Sequence, residues 1–131
     1  MAQYNVLDVS KVIDEKFRFL ISEYGYALTE RRQENYGYYT VYERSQRKVY
    51  LGYDYRENFF YFILIRGKYT VYPNHHDQEN IKPFFRLFEK YEADLEKKIQ
   101  PDDSQYLEAL ELNASLLKKY GDKVLKGEEW I

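Results

Sequence analysis

The stretch between residues 26 and 72 constrains the fold most, because apolar and polar residues alternate through a series of short runs. Twelve of the sixteen tyrosines lie between Tyr24 and Tyr72. A period of two with many aromatic and β-branched residues is typical of β-strands. The pattern predicts strands at 38–44, 47–54, 59–65 and 68–72, with residues 26–31 as a further edge strand.

The joints between these runs are short, and this sets the topology of the predicted sheet. They consist of Ser45-Gln46, residues 55–58 and Gly67. Connections of this length place consecutive strands side by side in antiparallel order. We therefore predict a meander of four or five strands. The run FFYFILI (59–65) is apolar on both sides, which predicts a central strand covered at least in part on both faces.

Helical periodicity flanks the predicted sheet. Apolar residues recur on one helical face from Val9 to Tyr24, and Gly25 suits the end of that helix. Similar patterns over 81–99 and 104–120 predict two C-terminal helices separated at Pro101. Amphipathic helices bury their apolar stripe against a sheet. The chain of 131 residues is therefore predicted to form a single α+β domain, with an N-terminal helix, a four- to five-stranded antiparallel meander sheet and two C-terminal helices packed on one sheet face.

The tyrosines supply the strongest functional signal in the sequence. Alternation places Tyr36, Tyr38 and Tyr42 on one side of a strand and Tyr39 on the other. Because the helices cover one face, we expect the other to expose tyrosines edged by arginines. Tyrosine and arginine are enriched at protein–protein hot spots. The predicted partner-binding residues are Tyr36, Tyr38, Tyr42, Tyr50, Arg44 and Arg47. A register slip of one residue would reverse every assignment to a face.

These features favour a non-enzymatic module that binds another protein, while other interpretations stay open. Tyrosines could simply wall a small sheet, with no ligand. A second interpretation is a small-ligand pocket or small enzyme with a cavity between sheet and helices, where Asn113 in the apolar arc of the last helix is the candidate polar residue. The third is stacking on single-stranded nucleic acid. It would use a cluster of basic residues, Arg31, Arg32, Arg44, Arg47 and Lys48. The net charge of −2 and the pI of about 5.8 argue against nucleic acid.

Both histidines lie in YPNHHDQEN, residues 72–80. A metal site needs three or four converging ligands, and adjacent histidines do not share one helical face. Asp77 or Asn80 is instead predicted to cap a helix that starts near Ile81. The sequence contains no G-x-S-x-G, phosphate-binding glycine loop or H-E-x-x-H motif. We predict no metal, cofactor or catalytic residue, although an enzyme built from residues distant in sequence stays open.

Compartment signals are sparse but agree with one another. The chain has no cysteine, which fits a reducing environment. Its start lacks the basic and apolar regions of a signal peptide. The longest uncharged apolar run, at 59–65, is too short to span a bilayer. A cytoplasmic location without membrane association is therefore expected.

The segment NASLLKKYGDKVLKGEEW, residues 113–130, resembles the tail of several small bacterial α+β proteins. These include uncharacterised families and immunity proteins of polymorphic toxin systems. The resemblance lies in Leu116-Leu117, Tyr120-Gly121-Asp122, Leu125, Gly127 and Trp130. It covers under a fifth of the chain. The resemblance implies a cytoplasmic bacterial protein that acts by binding a partner, and it assigns no functional residue.

Overall fold

The computed structural model describes residues 6–34, 36–54, 56–57, 59–70, 72, 74, 76–91 and 106–131. The chain begins with helices α1 (Val6–Lys16) and α2 (Phe19–Ser22). The strands are β1 (Ala27–Gln33), β2 (Gly37–Arg44), β3 (Arg47–Asp54), β4 (Phe59–Arg66) and β5 (Ile81–Pro83). Helices α3 (Phe84–Phe88), α4 (Tyr106–Tyr120) and α5 (Asp122–Leu125) follow.

The five strands form one sheet in the order β1-β2-β3-β4-β5, and every neighbouring pair is antiparallel. The predicted meander and the α+β class are thereby confirmed. The β2–β3 joint is a two-residue hairpin in which Arg44 lies opposite Arg47. Ser45 adopts a left-handed φ of 53° in this tight turn, which is uncommon for a residue with a Cβ.

The last strand differs from the prediction. Residues 68–70 form a turn instead of a strand, in which Thr70 Oγ1 donates to the Arg66 carbonyl at 2.6 Å. Ile81–Pro83 pairs with β4 in its place. Pro83 is extended (φ −65°, ψ 153°), so the predicted helix begins only at Phe84. Proline lacks an N–H and fits an edge strand. This helix ends at Phe88 and a turn follows at 89–91, whereas the rest of the predicted range, 92–99, lies outside the described residues.

The N-terminal helical segment also differs from the prediction, since it begins at Val6, is divided in two and ends at Ser22. The pattern over Val9–Tyr24 forms α1 and α2, which are separated by a turn at Phe17-Arg18. Gly25 ends the segment with a φ of 72°, as its position in the sequence predicted. The last helix, α4, matches its predicted range closely at its C-terminal end.

The main core lies between one sheet face and the helices. Phe17 from the N-terminal segment contacts Phe62 of β4 and Phe84 of α3, with ring centroids 6.5 Å apart in both pairs. Full burial of such a side chain is worth about 1.5–3 kcal/mol. The strands contribute Tyr38, Tyr42, Val49, Leu51, Tyr53, Phe60 and Leu64, and the helices contribute Val9, Ile13, Leu20, Phe88, Leu110 and Leu117, among others.

The second face, here called the outer face, carries the alternate residues of the strands. Val41, Ile63 and Ile65 are buried on this side although they do not belong to the main core. The Tyr72 ring, from the segment between β4 and β5, lies 4.7 Å from the Tyr50 ring. Cover on both sides of β4 confirms the prediction made from FFYFILI. No helix among the described residues is long and apolar enough to cross a membrane.

Candidate functional site

The strand register decides which tyrosines reach the surface. Tyr38 pairs with Tyr53 and Tyr42 pairs with Val49, and all of these side chains point towards the helices. Tyr38 is 3% exposed and Tyr42 is 1% exposed. The helices thus cover the face that we expected to be open. We therefore leave Tyr38 and Tyr42 out of the candidate surface. These two tyrosines could bind a partner only if the helices covered the other face of the sheet.

An aromatic surface does exist on the outer face. We define the outer patch by six residues, Arg32, Tyr36, Tyr39, Arg56, Phe59 and Tyr61. Tyr36 is 54% exposed and Phe59 is 45% exposed, although both are large rings. The Phe59 and Tyr61 rings meet edge to face with centroids 4.9 Å apart. Of the predicted residues, Tyr36 belongs to this patch, whereas Tyr50 lies beside it.

Arginines stack on two tyrosine rings of the outer patch, the exposed Tyr36 and the half-buried Tyr39. The Arg56 guanidinium lies 4.4 Å from the Tyr36 ring centroid, and that of Arg32 lies 5.1 Å from the Tyr39 centroid. Such contacts hold both members of a pair in a defined geometry. Carboxylates of Glu30, Glu34 and Asp54 lie within 4 Å of these two arginines, and that of Glu57 acts on the nearby Tyr61. The patch and its rim are therefore net negative.

Two glycines make room for the rings of the outer face. A Cβ at Gly37 would collide with the Tyr39 hydroxyl. A Cβ at Gly52 would lie 3.2 Å from both the Tyr39 and Tyr50 rings. Tyr50 packs against the Tyr39 ring at 5.6 Å and beneath Tyr72. Burial, followed by the nearby phenols of Tyr39 and Tyr72, raises the pKa of Tyr50 above its usual value.

A second feature, the arginine cleft, lies at the other end of the strands and towards the helices. Arg44, Arg47 and Arg66 occupy directly opposed positions on β2, β3 and β4. They line an open cleft of about 430 Å³, together with the β2–β3 hairpin and residues 125–127. Trp130 packs against it, with the guanidinium of Arg47 5.4 Å and that of Arg66 5.0 Å from its ring centroid. The predicted pair Arg44 and Arg47 therefore does not edge the outer face.

Neutral oxygen atoms hold the three guanidinium groups in place. Arg44 Nη1 donates to the Tyr24 carbonyl at 2.8 Å, and Arg47 Nη2 donates to the Gly127 carbonyl at 3.2 Å. Arg66 Nε donates to Asn80 Oδ1 at 3.0 Å.

The cleft contains more cationic groups than carboxylates. Within the described part of the chain, neither Arg44 nor Arg47 has a carboxylate within 4.0 Å, and Arg66 reaches only the exposed Glu79 at 3.9 Å. Arg47 Nη1 is buried and has no hydrogen-bond partner there. The arrangement is thus suited to receive an anion.

The structure does not support a pocket at Asn113. This side chain is 1% exposed, and its Nδ2 donates to the Ala109 carbonyl one turn earlier at 2.9 Å. Asn113 lines neither the arginine cleft nor the cleft beside Tyr36. The amide is therefore satisfied within its own helix, which is the usual arrangement for a buried polar group.

The basic residues that cluster in the sequence do not form one surface. Arg31 forms an ion pair with Asp14 of α1 on the helix side, whereas Arg32 pairs with Glu30 and Glu34 on the outer face. Lys48 lies opposite Ile65, also on the outer face. A strand alternates its side chains, so neighbours in sequence separate onto two faces. A continuous groove for single-stranded nucleic acid is not assembled from these residues.

The histidine segment forms turns in the part that the structure describes. Asn74 Oδ1 accepts from the His76 amide at 3.0 Å, and Asp77 Oδ1 accepts from the Asn80 side chain at 2.9 Å. His75 lies outside the described residues. The expectation that Asp77 or Asn80 caps a helix was wrong, because the chain enters β5 here. Among the described residues, no group of three or more histidines or carboxylates could hold a metal ion.

Comparisons with protein families, with curated proteins and with solved structures found no match to this chain. The two surfaces are therefore interpreted from their own chemistry. Sequence reasoning did not identify Phe59, Tyr61 and Arg66 as surface residues. A signal for the arginine cleft was present, since Arg44 and Arg47 bracket a two-residue joint that places them opposite each other.

Proposed function

We propose that this protein is a non-enzymatic interaction module that binds a protein partner through the outer patch. The observation that carries the proposal is the exposure of Tyr36 and Phe59 beside an arginine stacked on a ring. Buried aromatic and arginine anchors contribute most of the binding energy at protein interfaces. Both rings already contact a neighbouring side chain, Tyr36 with Arg56 and Phe59 with Tyr61, so less side-chain freedom is lost on binding than for isolated rings.

The charges around the outer patch specify the chemistry of the partner. Four carboxylates outnumber the two arginines on this surface. A complementary partner presents an apolar side chain for the rings and basic groups for the rim. Charge complementarity of this kind acts mainly on the association rate, which falls as salt is added.

Affinity capture with matched variants tests the proposal. The bait carries either the natural sequence, the double change Tyr36→Ala/Phe59→Ala, or the control change Tyr69→Ala. Tyr69 is 86% exposed and follows the opposite end of β4, so it removes an exposed ring away from the patch. We expect one protein to be captured by the natural and control baits and lost with the double variant.

Calorimetry with the purified partner then gives the magnitude. Removal of a hot-spot side chain costs about 2 kcal/mol or more, which is a loss of about thirtyfold in affinity. Circular dichroism of the double variant shows whether the fold is retained. Equal affinity of a folded double variant and of the natural protein would remove the outer patch from the interface.

We propose further that the protein is cytoplasmic and bacterial, and that it acts as an immunity-like inhibitor of its partner. The support is the resemblance of residues 113–130 to the tails of such proteins, including the Tyr120-Gly121-Asp122 turn. Co-expression tests this idea once the partner is known. The partner alone is expected to arrest growth, and the natural protein is expected to restore it. A harmless partner would contradict the inhibitor role while leaving the interface itself intact.

A further inference from the structure

We propose that the arginine cleft is a binding site for a phosphoryl group carried on a small molecule. This site is separate from the outer patch, so the two proposals stand or fall independently. The first observation is the register, because Arg44, Arg47 and Arg66 stand directly opposite one another across three neighbouring strands. Like charges in directly opposed positions destabilise a sheet. An anion in the cleft converts this repulsion into attraction.

The second observation is the way in which the guanidinium groups are held. Carbonyl oxygens of Tyr24 and Gly127 and the amide oxygen of Asn80 each accept from one arginine. These acceptors are neutral, so they orient the guanidinium groups without cancelling the positive charge. Fixed donors lose little freedom when a ligand binds, which is the advantage of a preorganised site.

The charge balance selects the class of anion. The guanidinium groups of Arg44, Arg47 and Arg66 line the cleft. Among the described residues, the carboxylate within 4.0 Å of them belongs to Glu79, which is exposed and lies 3.9 Å from Arg66. Lys126 also lines the cleft, but its ammonium pairs with Asp122 at 3.1 Å. A phosphate monoester carries close to two negative charges at neutral pH and offers three acceptor oxygens. It matches several guanidinium groups better than a single carboxylate does.

The size of the cleft indicates a phosphorylated molecule. Its volume of about 430 Å³ falls within the range of small-ligand sites, and a free phosphate ion would fill only part of it. We therefore expect an ester such as glycerol 3-phosphate to bind more tightly than inorganic phosphate. Both probes carry the same phosphoryl group, and their relative affinity shows whether the cleft prefers a phosphate ester or the free phosphate ion.

Trp130 provides a direct readout of this site. It is the one tryptophan of the chain, and the guanidinium groups of both Arg47 and Arg66 lie against its ring. Arg47 Nη1 is buried without a hydrogen-bond partner in the described structure. A phosphate bound by these guanidinium groups changes the charge environment of the indole ring that they stack on. Phosphate binding should therefore change the fluorescence of Trp130.

The test is a titration of the full chain with inorganic phosphate, glycerol 3-phosphate and acetate at constant ionic strength, followed by fluorescence and by calorimetry. We expect saturable binding of both phosphates. Arg47→Gln and Arg66→Gln should each weaken it by about tenfold or more, since hydrogen bonds to charged groups are the stronger ones. Arg86→Gln should leave it unchanged, because Arg86 is exposed on α3 and pairs with Glu89 there.

The variants also define the results that would overturn the proposal. If Arg47→Gln fails to fold, Arg44→Gln decides the question, since Arg44 lies in the exposed hairpin region. Unsaturable binding, acetate binding as tight as that of phosphate, or full affinity in the folded cleft variants would each reject the site.

Discussion

On the helix-covered face of the sheet, Tyr38 and Tyr42 are sealed beneath α-helical side chains, whereas on the outer face Tyr39 and Tyr50 are covered mainly by each other and by Tyr72. Both faces are built from the same residue type at alternating positions of the same strands. One set supplies core volume, and the other surrounds a surface with exposed rings and stacked arginines. The number of tyrosines in a strand therefore does not show whether they form core or surface. The packing on each face of the sheet decides this.

The largest expected difference between the faces is in stability. Tyr42→Ala removes a ring that is 1% exposed, and it should lower the free energy of unfolding by about 3–5 kcal/mol. Phe59→Ala on the outer patch should cost less than about 1 kcal/mol, because nearly half of that ring is already in water. Urea denaturation measures both values. Equal losses would mean that the two faces are equally part of the core.

A smaller difference is expected within the covered layer, where two phenols differ in their hydroxyl partners. Tyr26 Oη donates to the Leu125 carbonyl at 2.8 Å, whereas Tyr38 Oη is buried without a partner in the described structure. Tyr26→Phe should lower the free energy of unfolding by about 1 kcal/mol. Tyr38→Phe should be neutral or stabilising, because no hydrogen bond is lost. A clear destabilisation by Tyr38→Phe in thermal unfolding would reveal a partner for that hydroxyl.

The smallest effect concerns ionisation on the outer face. Burial raises the pKa of Tyr50, with further contributions from Tyr39 and Tyr72. The variant Tyr72→Ala should expose Tyr50 and bring its pKa closer to the usual value of about 10. Ring signals followed by nuclear magnetic resonance during a pH titration measure this change. The signals of Tyr42, which lies beneath the helices, provide the internal control.

The sign of the associated stability change follows from linkage. A tyrosine whose pKa is higher in the folded state contributes stability that is fully present below the pKa of the unfolded chain, about 10, and is lost as the pH rises further. The natural protein should therefore lose stability above this pH. Tyr72→Ala should show a shallower loss when unfolding is compared at pH values on either side of 10, because it removes the raised pKa of Tyr72 and also lowers that of Tyr50. An unchanged slope would exclude both Tyr50 and Tyr72 as contributors.

The strands were predictable from the sequence because two local signals agreed. A period of two marked each run, and the short joints forced antiparallel neighbours, so β2, β3 and β4 lie within a residue or two of their predicted ranges. The fifth strand was misplaced because 68–72 has strong strand character. Gly67, with a φ of 105°, instead turns the chain away from the sheet. The strand that pairs with β4 begins only at Ile81, and this pairing joins residues that are distant in sequence.

The choice of face could not be derived from the sequence. In β2 both sets of alternate positions are aromatic or branched, so hydrophobicity does not distinguish the core side from the outer side. The position of Arg66 depends on its register with Arg47 across the β3–β4 joint, which no local residue specifies. The candidate surfaces depend on the register between strands, which is set by the tertiary structure. The strands themselves depend on the local sequence pattern.

Strand β1 shows how the order of the strands protects the sheet. It lies at an edge, all seven of its residues are exposed, and its centre is the charged run Glu30-Arg31-Arg32. Strand β4, which is almost entirely apolar, pairs with β3 along its whole length and with β5 over Ile63–Ile65. A free backbone edge invites another chain to add a strand, and charges at that edge oppose such an addition. This arrangement keeps residues 63–65 of the most apolar strand away from a free edge, where chains could stack into fibres.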